Sequence, residues 1–142
     1  MALLNPYLQF DGTAREAMEN YRDIFGGQLD VNTFGDFGGG DETHGAPADG
    51  IMHAQLTTDL GFTLMGSDLP PGLGGVPENG SVSLSGDEGD ILRGYFEKLS
   101  DGGTVTMPLE KQMWGDEFGM CVDRFGISWM VNIAGSGGEQ PA

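Results

Sequence analysis

Apolar residues recur along this chain with two periods, and their succession sets the order of the elements. In "YLQFDGTAREAMENYRDIFGGQLDV" a short alternating run passes an Asp-Gly corner into a segment where Ala14, Ala17, Met18, Tyr21 and Phe25 keep the i, i+3, i+4, i+7 spacing of a helix with one buried face. Gly26-Gly27 supplies a left-handed stop, after which extended sequence resumes. "VSLSGDEGDILRGYFEKLSDGGTVTM" follows the same plan, with Leu92, Tyr95, Phe96 and Leu99 on the helical face and Gly102-Gly103 as the stop. Sliding the sequence by 76 positions lays Leu8 on Leu84, Asp11 on Asp87, and Gly26-Gly27 on Gly102-Gly103. The strands that follow repeat at an offset of 65: "GFTLMGS" (61–67) lies on "GISWMVN" (126–132), with Gly61 on Gly126 and Met65 on Met130. The smaller offset places about eleven extra residues in the first copy, in the glycine-rich acidic stretch "GDFGGGDETHGAPADG" from Gly35 to Gly50, read as a loop and a candidate lid.

The predicted fold class is therefore α+β: two tandem βαβββ modules forming curved mixed sheets around a cavity. The first module covers 1–68, a Gly/Pro linker 69–79, the second module 80–134, and a flexible tail 135–142. Alternation assigns the strand faces. Leu4, Leu8 and Phe10 fall on one side of the first strand, with Asn5, Tyr7 and Gln9 on the other. In "IMHAQLTTD", Met52, Ala54 and Leu56 oppose His53, Gln55 and Thr57; further on, Phe62 and Leu64 oppose Thr63, Met65 and Ser67. Val82 and Leu84 oppose Ser81, Ser83 and Ser85, and Ile127, Trp129, Val131 and Ile133 oppose Ser128, Met130 and Asn132. Each strand thus has an oily face for a helix to cover. Its other face is too mixed for a dry core yet nearly free of charge, which suits a cavity wall.

Composition removes several function classes. The 142 residues carry 22 acids against 6 Lys and Arg, for a net charge of −16. Such a surface repels phosphate backbones and anionic lipid and favours a cationic partner, so neither nucleic acid nor membrane is expected as a target. The acids are dispersed, as in a solubilising surface. No apolar run approaches the roughly 18 residues of a membrane span, and "MALLNPYLQFDG" lacks a basic signal-peptide start. With a single cysteine the expected compartment is the cytoplasm.

The candidate chemistry is sparse. "GDFGGGD" lacks the Gly-Lys-Ser/Thr of a phosphate loop, and Cys121 has no basic neighbour to activate it, which favours a small buried hydrophobe. His44 sits in the loop and reads as solvated. His53 shares the cavity face with Gln55, as a polar wall residue or as a general base. Trp114 and Asp116 precede a strand at the mouth of the second module, either as stacking face and anion or as packing residue and turn aspartate.

The pieces "FDG…A…Y…FGG", "MHAQL", "LMGSD" and "WGDEFG…DRFGISW" resemble the vicinal oxygen chelate superfamily, and within it the PhnB-like branch near the glyoxalase and bleomycin-resistance proteins. The resemblance spans nearly the whole chain and implies two side-by-side modules with a cavity usually completed in a homodimer. Metal-dependent members hold a divalent ion with four His, Gln or Glu side chains. Carried over, those positions fall on Asn5, Met65, Ser81 and Met130. Thioethers prefer soft ions, and an amide and a hydroxyl add no charge, so no metal and no other cofactor is expected.

The first functional reading is a small-molecule binding protein, sequestering its ligand as drug-resistance relatives do. Its site would be lined by Tyr7, His53, Gln55, Met65, Trp114, Asp116, Met130 and Asn132. The rival is a glyoxalase-like lyase, isomerase or dioxygenase acting on a small carbonyl or aromatic compound. Without metal, its best catalytic candidate is His53, assisted by Tyr7 or Asp116.

Overall fold

A computed structural model describes residues 3–37, 47–70 and 79–135. The chain divides into two compact units, Met1–Asn79 and Gly80–Ala142. Unit 1 runs β1 (Tyr7–Phe10), α1 (Ala14–Phe25), β2 (Gln28–Thr33), a 3-10 turn (Phe34–Phe37), β3 (Ile51–Thr57) and β4 (Thr63–Asp68). Unit 2 runs β5 (Ser81–Gly86), α2 (Gly89–Ser100), β6 (Thr104–Lys111), β7 (Glu117–Val122) and β8 (Ser128–Ile133). The expected βαβββ order therefore occurs twice. Each unit carries an open four-stranded mixed sheet, in the order β1-β4-β3-β2 or β5-β8-β7-β6. Among the described residues only the β1–β4 and β5–β8 pairs are parallel.

In each unit the strands joined through the helix take opposite edges of the sheet, so the helix must cross the sheet and bury its apolar stripe. On α1 that stripe is Ala14, Ala17, Met18, Tyr21, Ile24 and Phe25, over Leu8, Phe10, Ala54, Leu56 and Leu64. Each large side chain so buried contributes about 1.5–3 kcal/mol. On α2 it is Leu92, Phe96 and Leu99, with Tyr95 half-buried, over Leu84, Cys121, Trp129 and Val131. The first turn of α1 has no side-chain cap from Thr13. Instead the buried Asp68 accepts from the Ala14 amide (2.9 Å) and, through its other oxygen, from the Ile51 amide (2.9 Å), tying helix, β3 and β4 together.

The offset of 65 extends to individual hydrogen bonds. After β3 the Thr58 amide donates to the Phe62 carbonyl at 2.9 Å, and after β7 the Asp123 amide donates to Ile127 at 2.9 Å. Gly61 and Gly126 close the two corners with φ of 95° and 87°.

The alternation fails in two places. Leu4 is not on a buried strand face: it precedes β1 and is 99% exposed, because pairing with β4 begins only around Pro6. In β3 the buried residue is Ile51 and not Met52, because a register shift opposite Asn32 and Thr33 turns the strand start by one residue. The base of the 35–50 stretch is not loose loop, since Phe34 is buried and the amides of Phe34 and Gly35 donate to Gly50 and Ala48. His44, most of the candidate lid and of the linker, and the tail after Gly135 lie outside the described residues.

Candidate functional site

Each sheet turns one face to its helix, and the functional candidates borne by the strands lie on the other. In unit 1 the cross-strand register places Tyr7, Met65, Gln55 and Asp30 in one row, with His53 one step along β3 opposite Asn32. The Tyr7 ring stacks on His53 with centroids 5.7 Å apart, and its hydroxyl lies 3.1 Å from Nδ1. That hydrogen bond fixes the ring and leaves Nε2 in the complementary role, donor or acceptor. Nε2 and the Gln55 amide have no partner among the described residues, where no buried side-chain nitrogen or oxygen goes unpaired. Both groups are therefore open to solvent or to a ligand. Tyr7, His53, Gln55 and Met65 are thus brought together by one sheet.

The unit 2 face is softer. Ser83, Met130, Met120 and Met107 lie in one cross-strand row, and Ser85, Asn132, Phe118 and Glu110 in the next. Trp114 is half exposed, its ring 6.4 Å from that of Phe118. Asp116 does not project into this surface as an anion. It is 1% exposed; its Oδ2 accepts from Asn132 Nδ2 (3.0 Å) and its Oδ1 from the Gly135 amide (2.9 Å). Met107, Met120, Phe118 and Ser83 extend the site beyond the sequence-derived set. For Met120 and Phe118 the signal is alternation against the buried Gly119 and Cys121 in β7. Met107 has no such signal, because the register shifts on both sides of it in the Pro108-containing edge strand β6. No Lys or Arg belongs to either face row.

Arg93 of α2 is occupied elsewhere, in ion pairs with Glu117 and with Asp90. Its hydrogen bond holds the Glu117 carboxyl below the usual range. A cleft of about 690 Å³ beside this pair is lined by Asp87, Lys111 and Gly135 and lies off the methionine row.

Cys121 sits on the helix side of β7, 1% exposed. Burial, reinforced by the Asp123 charge, pushes its thiol up from 9.0 to about 11. A thiol reagent at pH 8 should leave the folded chain unlabelled and label it on denaturation. The folded state holds this proton more tightly than the unfolded chain, so its contribution to stability is intact below about pH 9 and is lost as pH rises through about 11. Denaturant midpoints across that range, compared with those of Cys121→Ala, check the sign.

The metal positions implied by resemblance do not make a metal site. Tyr7, not Asn5, lies opposite Met65, and Ser83, not Ser81, lies opposite Met130. Among the described residues no group of three or more His, Cys, Asp or Glu is placed to hold an ion. A pair of thioethers with an amide and a hydroxyl does not fit a hard divalent cation.

The model of the 3-demethylubiquinone-9 3-methyltransferase family matches residues 3–132. The chain belongs to this family. It is also similar to the crystal structure of protein PA1353 from Pseudomonas aeruginosa, 38% identical over 96% of this chain and 100% of that one, with a TM-score of 0.81. A second neighbour is a Bacillus cereus structure titled as a putative 3-demethylubiquinone-9 3-methyltransferase, PhnB protein. It is 24% identical over 94% of this chain and 100% of that one, with a TM-score of 0.73. A glyoxylase/bleomycin resistance protein/dioxygenase domain from Frankia sp. EAN1pec, 15% identical over 94% and 98%, shares the fold at a TM-score of 0.64. The chain thus shares the fold of a glyoxylase/bleomycin resistance protein/dioxygenase domain. Among the described residues no helix of this family member is long and apolar enough to cross a membrane.

Proposed function

We propose that this chain is a cytoplasmic, homodimeric small-molecule binding protein that sequesters an organic ligand on its open sheet faces without a catalytic metal. One observation carries the reading: Met107, Met120 and Met130 lie side by side next to Phe118 and the half-exposed Trp114. Thioethers and aromatic rings give adaptable apolar contact, and polar groups left unpaired nearby orient a ligand's own polar atoms. Face rows without a basic residue, on a chain of net charge −16, favour a cation.

A thermal-shift screen against metabolites, cationic antibiotics and divalent metals tests this, because ligand binding registers as stabilisation. For a compound that stabilises the chain, Trp114→Ala should weaken binding about tenfold or more, the loss of a central aromatic anchor. His53→Ala should leave that affinity nearly unchanged. A screen without any stabilising compound would reject the reading.

A second reading is supported by the Tyr7–His53 hydrogen bond. If Nδ1–H donates to the tyrosine oxygen, Nε2 carries a lone pair into the open face, the arrangement of a positioned general base. A glyoxalase-like lyase or isomerase acting on a small carbonyl or aromatic compound would need such a base to take up a substrate proton. In that case His53→Ala abolishes turnover while substrate affinity stays within about a factor of two.

A further inference from the structure

We propose that Asn132, held by the buried Asp116, is the specificity-determining acceptor of the unit 2 face and selects a ligand carrying an N–H-bearing cation on an aromatic or apolar body. The proposal rests on the ligand-binding reading above and names the ligand class. A carboxylate only accepts hydrogen bonds, so the Asn132 atom 3.0 Å from Asp116 Oδ2 must be its amide nitrogen. The amide is thereby fixed, and Oδ1 is turned away from Asp116. Oδ1 has no partner among the described residues and is not buried, since no buried side-chain oxygen there lacks one. It is an open acceptor whose orientation is set before a ligand arrives.

Its surroundings favour positive charge. Asn132 lies directly opposite Phe118, whose ring neighbours that of Trp114, and Met130 flanks it on the same strand face. Aromatic faces attract cations, and an ammonium also donates to an amide oxygen. Asp116 has no Lys or Arg partner among the described residues, so its charge adds a negative potential behind the amide. Because the amide stands between them, the ligand meets a neutral acceptor and avoids the desolvation of a direct buried ion pair. A quaternary ammonium would gain the ring and field terms without the hydrogen bond. An anion would gain none of them.

The test is calorimetric titration of the intact chain with 2-phenylethylammonium, its N,N,N-trimethyl analogue and 3-phenylpropanoate. The primary ammonium should bind about tenfold tighter than the trimethyl cation, a charge-assisted hydrogen bond's worth, and the carboxylate weakest. Asn132→Leu should erase the difference between the two cations. Asp116→Asn places an amide that can donate or accept behind Asn132, which is then free to turn an N–H outward. The carboxylate should gain and the primary ammonium lose, whereas a merely structural Asp116 would weaken all three probes together. Equal binding of the two cations, or a preference that survives Asn132→Leu, would overturn the proposal, and Asn132→Leu decides it even if Asp116→Asn does not fold. If none of the three binds while another compound of the wider screen does, the inference fails and the binding reading stands. If nothing in the screen binds, both fail.

Discussion

Trp129→Ala is expected to lower the stability of the chain by about 3–5 kcal/mol, the range for truncating a buried aromatic core residue. Trp129 is 1% exposed on the helix side of β8, and its indole N–H donates to Asp123 Oδ2 at 2.9 Å. The other Asp123 oxygen accepts from the amides of Phe125 (2.8 Å) and Ile127 (3.0 Å), so one carboxylate holds both the corner between β7 and β8 and the tryptophan beneath it. Trp129→Phe keeps most of the volume but removes the indole N–H that donates to Asp123 Oδ2. It should cost less than alanine yet more than a volume-conserving swap, whose usual ceiling is about 1.5 kcal/mol. Denaturant midpoints of the two variants measure the difference. A loss near zero for Trp129→Ala would mean that the helix-side core of unit 2 is not packed as described.

The second large effect lies at the glycines that follow a helix or close a strand corner, where three substitutions separate two physical costs. A Cβ on Gly61 would meet nothing within 4 Å, but its φ of 95° is left-handed, so Gly61→Ala should cost the conformational penalty alone, about 1–2 kcal/mol. At Gly103 the backbone is not left-handed, yet a Cβ would stand 2.1 Å from the Val122 carbonyl oxygen. That variant carries the steric cost, about 1–3 kcal/mol or more. Gly27 combines a φ of 107° with a Cβ position 2.0 Å from the Thr57 carbonyl oxygen. Gly27→Ala should therefore be the most damaging of the three, on the order of 3–5 kcal/mol as the sum. The order Gly27→Ala over Gly103→Ala and Gly61→Ala in chemical denaturation is the result to look for. Equal losses at Gly27 and Gly61 would show that the carbonyl contact is absent.

These positions explain why so much of the fold is legible in the chain. Gly27 and Gly103 are each followed by an edge strand and pressed against the third strand of their own unit, so the doubled glycine marks packing as well as a helix stop. Gly61 and Gly126 mark corners with matching hydrogen bonds. A repeat of backbone geometry leaves its trace in sequence wherever only glycine fits. Leu8, Leu64, Leu84, Trp129 and Val131 are buried as period-2 alternation requires, because one face of each sheet must meet a helix.

The candidate site is less legible. Alternation puts His53, Gln55, Met65, Met130 and Asn132 on the faces away from the helices. It cannot pair Tyr7 with His53, 46 residues apart, or align Met107 with Met120 across a strand whose register shifts. Asp116 shows the limit most clearly. In sequence it is an acid beside a tryptophan; in the fold it is a buried acceptor that fixes the orientation of Asn132.

The sequence by itself determined the twofold βαβββ plan, the buried stripe of each helix and the inert Cys121. Each of these follows from local periodicity, glycine stereochemistry or side-chain type. Only the tertiary structure decided which side chains face one another, and so which hydrogen-bonding groups are already committed and which remain open. Partners such as Asp68 with Ala14, Tyr7 with His53 and Asp116 with Asn132 are set by strand register between distant segments, and register is a property of the assembled sheet.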